Sequence, residues 1–336
     1  MTARYDFSPQ FALRGTISTG FRAPTLQEEY YSGTNVSTVS AIVQLPANSK
    51  ASSDAGFGPL RPEQSSNYSV GFVAHPASRL QITADLYRIN LRDRILASGF
   101  MLGSVGNYIV SQDVVNAIAA RGITVDPGAE YAGVTLFTNA ANTNTTGLDV
   151  TTTYASDFGG FGHVDWSLGF DFKQTDVSKA FALPQGVVNP LLGQTALLSP
   201  AALSALTTGT PQEKAILNGY WTLGRWSVNL RETIYGPASV MTSFSGTGSG
   251  AGARKLEVGT TPITDLDIGY KITPQLRLNI GANNLLNKKP PLVPALPNGS
   301  GGYAPGDGGN VYYDPALIAP YGINGGYYYG RITFSF

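Results

Sequence analysis

His75 and His163 are the only imidazoles in this 336-residue chain, and it has no cysteine. Composition therefore excludes a disulfide and a thiolate metal site. No HExxH, GxSxG or phosphate-loop pattern occurs, so there is no zinc helix, nucleophile elbow or nucleotide cradle to build on. GTGSGAGA at 246–253 has the composition of a linker, and no Lys-Ser or Lys-Thr pair follows it. The sequon at Asn144-Thr145-Thr146 carries no weight in this reading. The expectation is a protein that is not an enzyme and that needs neither metal nor cofactor. What remains is non-covalent chemistry: guanidinium against carboxylate, with tyrosine hydroxyls to serve either.

Those groups recur at every second position. Asp265 and Asp267 alternate with Leu266 and Ile268 in ITDLDIGYKI, and Arg277 lies between Leu276 and Leu278 in LRLNIGAN. Arg14, Arg22, Asp149, Asp171 and Arg231 occupy equivalent places in their own alternating segments. Period-2 alternation puts one set of side chains on each face of a strand. The charged residues then form one polar wall, free to pair with each other in a wet interior or with something that fills it.

The alternation predicts about eleven strands, starting near residues 3, 11, 66, 79, 145, 162, 213, 225, 262, 275 and 326. Short connections at 8–10, 75–78, 157–162, 223–225 and 273–275 alternate with long ones at about 23–65, 93–137, 177–211, 238–260 and 286–324. Tight turns at one end and long loops at the other describe strands that run up and down between neighbours. Long loops count against a compact soluble domain. They are ordinary in an outer-membrane β-barrel, with short periplasmic turns and long extracellular loops.

Composition agrees. Charged residues make up 13% of the chain, about half the usual share of a soluble domain. Apolar faces carry aromatics near strand ends, including Tyr5, Phe21, Trp166, Trp221, Trp226 and Tyr270, where interfacial girdles sit. No apolar run is long enough for a membrane-crossing helix. The 22 basic and 22 acidic residues cancel, which gives no footprint for nucleic acid. The fold class expected is all-β, an antiparallel transmembrane barrel.

Six segments carry a resemblance: LRGTISTGFRAPTLQEEYY at 13–31, LRPEQSSNYSVGF at 60–72, ITADLYRINLRDRI at 82–95, FTNAANTNTTGLDV at 137–150, WSVNLRETIYG at 226–236 and DLDIGYKITPQLRLNIGANNLLNKKPP at 265–291. In this order and spacing the chain resembles the C-terminal barrel part of TonB-dependent outer-membrane receptors. The resemblance implies a bacterial outer-membrane location, contact with membrane lipid, and import of a scarce solute such as a siderophore, cobalamin or oligosaccharide. It implies a barrel of roughly 22 strands, of which about eleven are here. It also implies a TonB complex that acts through an N-terminal plug, and polar-wall residues that contact that plug. The ending GYYYGRITFSF puts Tyr328, Ile332, Phe334 and Phe336 on one side of a final strand, the pattern that the barrel-assembly machinery reads in such proteins.

The start, MTARYDFSPQ, shows no basic n-region or apolar h-region, and no plug is visible. The expectation is therefore residues 1–336 as a partial barrel domain, either a fragment or a front-truncated reading frame. Loop residues Glu28, Glu29, Tyr30 and Tyr31, and Tyr303, Tyr312 and Tyr313, are candidates to touch the solute. The plainer alternative is an exposed loop with packing tyrosines. Short helices are expected at 111–123 and 199–206, as loop packing. Rival readings are a plug-less porin or oligomerising barrel, and a structural or adhesive surface β protein.

Overall fold

A computed structural model describes residues 1–37, 40–126, 128–187, 196–243, 253–291, 296–297, 303–304 and 318–336. It begins with β1 (Thr2–Ser8) and β2 (Phe11–Arg22), followed by α1 (Leu26–Tyr30), β3 (Gly33–Val36), β4 (Ser40–Leu45) and α2 (Lys50–Asp54). Next come β5 (Glu63–Ala77), β6 (Leu80–Ala97), β7 (Met101–Val105), β8 (Tyr108–Ile109) and α3 (Gln112–Ala119). Then follow β9 (Tyr131–Asp157), β10 (His163–Ala180), α4 (Pro200–Thr207), β11 (Glu213–Leu223) and β12 (Trp226–Tyr235). The last elements are β13 (Ala238–Ser243), β14 (Ala253–Val258), β15 (Thr261–Lys271), β16 (Leu276–Asn283), β17 (Leu296–Pro297), β18 (Tyr303–Ala304) and β19 (Tyr327–Phe334).

Eleven of these strands form one antiparallel path, β1-β2-β5-β6-β9-β10-β11-β12-β15-β16-β19. Each strand pairs with its sequence neighbours on the path, and the first and last strands run in the same direction. Tight turns join alternate pairs, helped by residues that accept positive φ: Arg79 at 66° and Gly224 at 54°.

Register sorts the side chains onto two faces. On one face Leu13 is opposite Phe72, Val70 opposite Leu86, Leu86 opposite Leu148, Leu168 opposite Leu217 and Ile268 opposite Ile280. No described residue covers this apolar face. Leu86, Leu230, Ile280 and Ile332 are 51%, 50%, 65% and 73% exposed. A continuous apolar surface over eleven strands far exceeds what a water-exposed monomer carries.

The dry core lies in the long connections instead. Val43 and Leu45 of β4, Met101 of β7, Val114 and Ile118 of α3, and Val134 and Leu136 of β9 pack in one cluster with Phe57 and Val187. Each fully buried aliphatic side chain contributes about 1.5–3 kcal/mol. The helices are capped locally. The Ser111 hydroxyl accepts from Val114 N at the start of α3, and Ser199 does the same for Ala202 ahead of Pro200 in α4. Both helices fall in the two segments that the sequence predicts as helical.

The largest departure from the sequence expectation is β9. It starts at Tyr131, not near 145, and its first six residues pair in parallel with β4. Ala132, Val134 and Leu136 are buried, as are Gly133 and, further on, Ala140 and Ala141. Ala132, Val134 and Leu136 do alternate with Tyr131, Gly133 and Thr135, but so short a run within a long connection does not stand out as a strand.

Candidate functional site

The polar face carries three charged assemblies. The first crosses β2, β5, β6, β9 and β10 in one transverse row: Arg14 opposite Gly71, Gly71 opposite Asp85, Asp85 opposite Asp149, and Asp149 opposite Asp171. Gly71 has no side chain, so Arg14 reaches over it, and Arg14 Nε donates to Asp85 Oδ1 at 2.8 Å. Lys214 faces Asp171 at the far end of the row. Three carboxylates side by side with a cation at each end make a surface suited to basic groups.

The second assembly surrounds a cavity of about 500 Å³ on β11, β12, β15, β16 and β19. Arg231 donates to Asp265 Oδ2 from Nε at 2.9 Å and from Nη2 at 2.6 Å. Asp265 also accepts from Asn284 N at 2.8 Å, which ties the wall to the chain leaving β16. Asp267 accepts from the Tyr329 hydroxyl at 2.8 Å and from Asn279 Nδ2, with Arg331 at 3.7 Å. The Tyr329 ring lies over Gly281, where a Cβ would collide with it. Arg277 donates to the Tyr220 hydroxyl at 3.3 Å and to Ser227 Oγ.

The third assembly is at the loop end. Arg22 donates from Nε to Glu63 at 2.8 Å, and from Nη1 and Nη2 to Glu28 at 2.9 and 3.0 Å. Glu63 is almost fully buried and also accepts from Ile95 N at 2.8 Å. Glu28 closes a capping box with Thr25 at the head of α1. The Arg22 guanidinium, and then the Thr25 backbone amide, hold the Glu28 carboxyl below its usual range. One arginine thus ties two barrel strands and a loop helix together.

The sequence candidates fall out as follows. Arg14, Asp149 and Asp171 meet in the first assembly; Arg231, Asp265, Asp267 and Arg277 meet in the second. Arg22 stands apart at the rim and joins Glu28. Glu29, Tyr30 and Tyr31 surround the end of α1, where the exposed Tyr30 hydroxyl accepts from Asn48 Nδ2 at 3.0 Å. Tyr303 belongs to the short β18, and Tyr312 and Tyr313 lie outside the described residues. Tyr328, Ile332 and Phe334 share the exposed apolar face of β19, with Phe336 just beyond it. The two histidines flank turns rather than loops. His163 bonds Asp157 at 2.6 Å and Asp165 at 3.0 Å.

Sequence reasoning missed Asp85, Glu63, Asn279, Tyr329 and Arg331. Asp85 and Arg331 had a usable signal, since each sits on the polar side of an alternating segment. Glu63 had none, because only its position beneath Arg22 makes it special.

Comparison with known proteins adds a family. The model described as TonB dependent receptor-like, beta-barrel, matches residues 2–285. No curated protein matches the chain. Among solved structures, the siderophore receptor PirA from Acinetobacter baumannii aligns over 99% of this chain and 40% of its own length, at 18% identity and TM-score 0.59. The ferric enterobactin receptor PfeA from Pseudomonas aeruginosa aligns over 100% and 39%, at 17% identity and TM-score 0.59. The copper transporter OprC aligns over 100% and 39%, at 17% identity and TM-score 0.54. The chain spans about two fifths of the length of each. At this identity the likeness is one of fold.

Proposed function

We propose a transport role on the premise that this chain belongs to the TonB-dependent receptor-like β-barrel family. The whole receptor takes up a scarce solute, such as a siderophore, cobalamin or an oligosaccharide, across the bacterial outer membrane. The observation that carries this reading is the two-faced sheet: an uncovered apolar face over eleven up-and-down strands, backed by a polar face with paired charges. In hydrocarbon every backbone N–H and C=O needs a partner, so such a sheet belongs in a closed barrel. The end strands β1 and β19 run the same way, so an antiparallel ring needs an odd number of further strands between them.

On this reading the roles divide between the two faces and the loop end. The apolar face meets lipid. The polar face lines the lumen, where the Arg14 and Arg231 assemblies contact a plug through which TonB acts. Glu29, Tyr30 and Tyr31 at the loop end contact the solute, with Glu28 reserved for the Arg22 tie. Tyr303, Tyr312 and Tyr313 are assigned to the same task on their sequence alone. Tyr328, Ile332, Phe334 and Phe336 present the closing strand to the barrel-assembly machinery.

Two experiments test this. The chain is expected in the outer-membrane fraction, with heat-modifiable gel mobility; a folded monomer in detergent-free buffer sinks the membrane reading. Cells producing a receptor that contains this segment are expected to accumulate a radiolabelled solute only while the proton-motive force is intact. Uptake that survives its collapse removes the TonB-dependent mechanism.

A further inference from the structure

Three arginines and two aspartates line the cavity on β11–β19, and one of the arginines differs from the others. Arg231 is neutralised by Asp265, and Arg331 stands 3.7 Å from Asp267. Arg277 meets two hydroxyls, on Tyr220 and Ser227, and no carboxylate among the described residues. Its Nε is sealed from solvent and has no hydrogen-bond partner among the described residues. The half-buried guanidinium has thus lost water at one nitrogen without gaining a counter-ion among the described residues.

It is also held in place. Arg277 lies across Gly269, where a Cβ would come 2.8 Å from its Nη2 and 2.9 Å from its Nε. Directly opposite Arg277 in the ladder is Lys271, which makes no ion pair among the described residues. Like charges in facing positions repel, and an anion relieves that.

We propose that Arg277, with Tyr220 beside it, forms a carboxylate-binding subsite on the lumenal wall. The charge of the ligand follows from the lining. Arg231, Arg277 and Arg331 against Asp265 and Asp267 leave one positive charge on the lining, and Lys271 opposite Arg277 adds another, so the subsite favours an anion. A phosphate dianion meets the carboxylates of Asp265 and Asp267 in the same lining with twice the charge of a carboxylate, which favours the carboxylate. Tyr220 accepts from Arg277, and a phenol that accepts can also donate its O–H to the same carboxylate. A guanidinium already fixed by packing loses little further freedom on binding. The carboxylate has two possible sources: a free acid in the lumen, or an Asp or Glu side chain of polypeptide seated there. The site rests on the polar face lining a lumen.

The test uses the full chain folded in detergent micelles, with acetate and the peptide Ac-Gly-Glu-Gly-NH2 as probes followed by saturation-transfer NMR. Saturable binding is expected, about tenfold weaker in Arg277→Gln and about threefold weaker in Tyr220→Phe. The peptide binding more tightly than acetate assigns the site to a polypeptide side chain; equal affinities assign it to a free acid. No saturable binding, binding undiminished in either variant, or inorganic phosphate binding more tightly than acetate overturns the proposal. Heat-modifiable mobility is scored for each variant, and Tyr220→Phe carries the test if Arg277→Gln does not fold. A chain that inserts in membranes and binds neither probe loses this subsite alone and keeps the transport reading.

Discussion

Strand β9 passes through two environments. Between Tyr131 and Leu136 its side chains enter a dry core, and Val134 is fully buried against β4 and β7. Between Leu148 and Tyr154 the same strand presents apolar side chains outward, opposite Leu86 on one side and Phe172 on the other. The first region meets the hydrophobic effect within the protein, by packing loop segments onto one another. The second has apolar side chains with none of the described residues over them, so it depends on an apolar surrounding. One strand thus joins a water-adapted body to a lipid-adapted wall, and the two regions obey different mutational rules.

The largest expected effect breaks the loop body. Leu45→Ala deletes fully buried volume and is expected to cost about 2–5 kcal/mol. Limited proteolysis of the loop segments reads it out. Leu230→Ala on the half-exposed wall is expected to cost clearly less; equal losses would erase the distinction. Next in size, Ile280→Arg on the apolar face is expected to cost about 2–4 kcal/mol in a bilayer. Asn229→Arg on the polar face of β12, opposite Asp267 in the ladder, should be tolerated. Folding into vesicles, followed by gel mobility, compares the two. Indifference to which face receives the arginine would refute the assignment of lipid side and wet side.

A smaller effect is expected where the two regions join. Glu63→Gln removes the charge that Arg22 grips from below, and is expected to cost about 1–3 kcal/mol. Hydrogen exchange should quicken at α1 before it changes in β4 or α3. The smallest effect is at the turn end, beyond Trp166 and Trp221. Hydrogen bonds to Asp157 and then Asp165 raise the His163 pKa, while Arg79 and then His163 lower that of Asp157. The raised His163 contributes stability below the ordinary imidazole pKa of about 6.5, and that contribution is lost as pH rises through the raised value. The lowered Asp157 contributes above the ordinary carboxylate range, and loses its contribution as pH falls through the depressed value. An NMR titration of His163 should show its pKa fall in Asp157→Asn; no change there would remove the pairing.

Much of the wall was legible in advance because a strand covered on one face must alternate. Phe170 against Asp171, and Leu266 against Asp267, announce their faces in the sequence. The start of β9 was not legible, since the alternation of YAGVTL is short and its burial comes from β4 and β7, which only the tertiary structure brings against it. The same limit applied to Arg22. Period 2 grouped it with Arg14 and Arg231, but its place at the last residue of β2 lets it leave the wall and hold Glu28. Asp85 was within reach, yet its partnership with Arg14 depends on Gly71 in the strand between them.

The sequence by itself determined the strand period, the two faces and the alternation of turns with long connections, because each is a local consequence of where apolar residues recur. Only the tertiary structure decided which charges find each other. Cross-strand partners are set by register, and register brings together residues as far apart in the chain as Arg14 and Asp85, or Tyr220 and Arg277. It also left Arg277 as the wall's one cavity-lining arginine without a carboxylate among the described residues, because Gly269 lets its side chain lie toward Ser227 rather than toward Asp267.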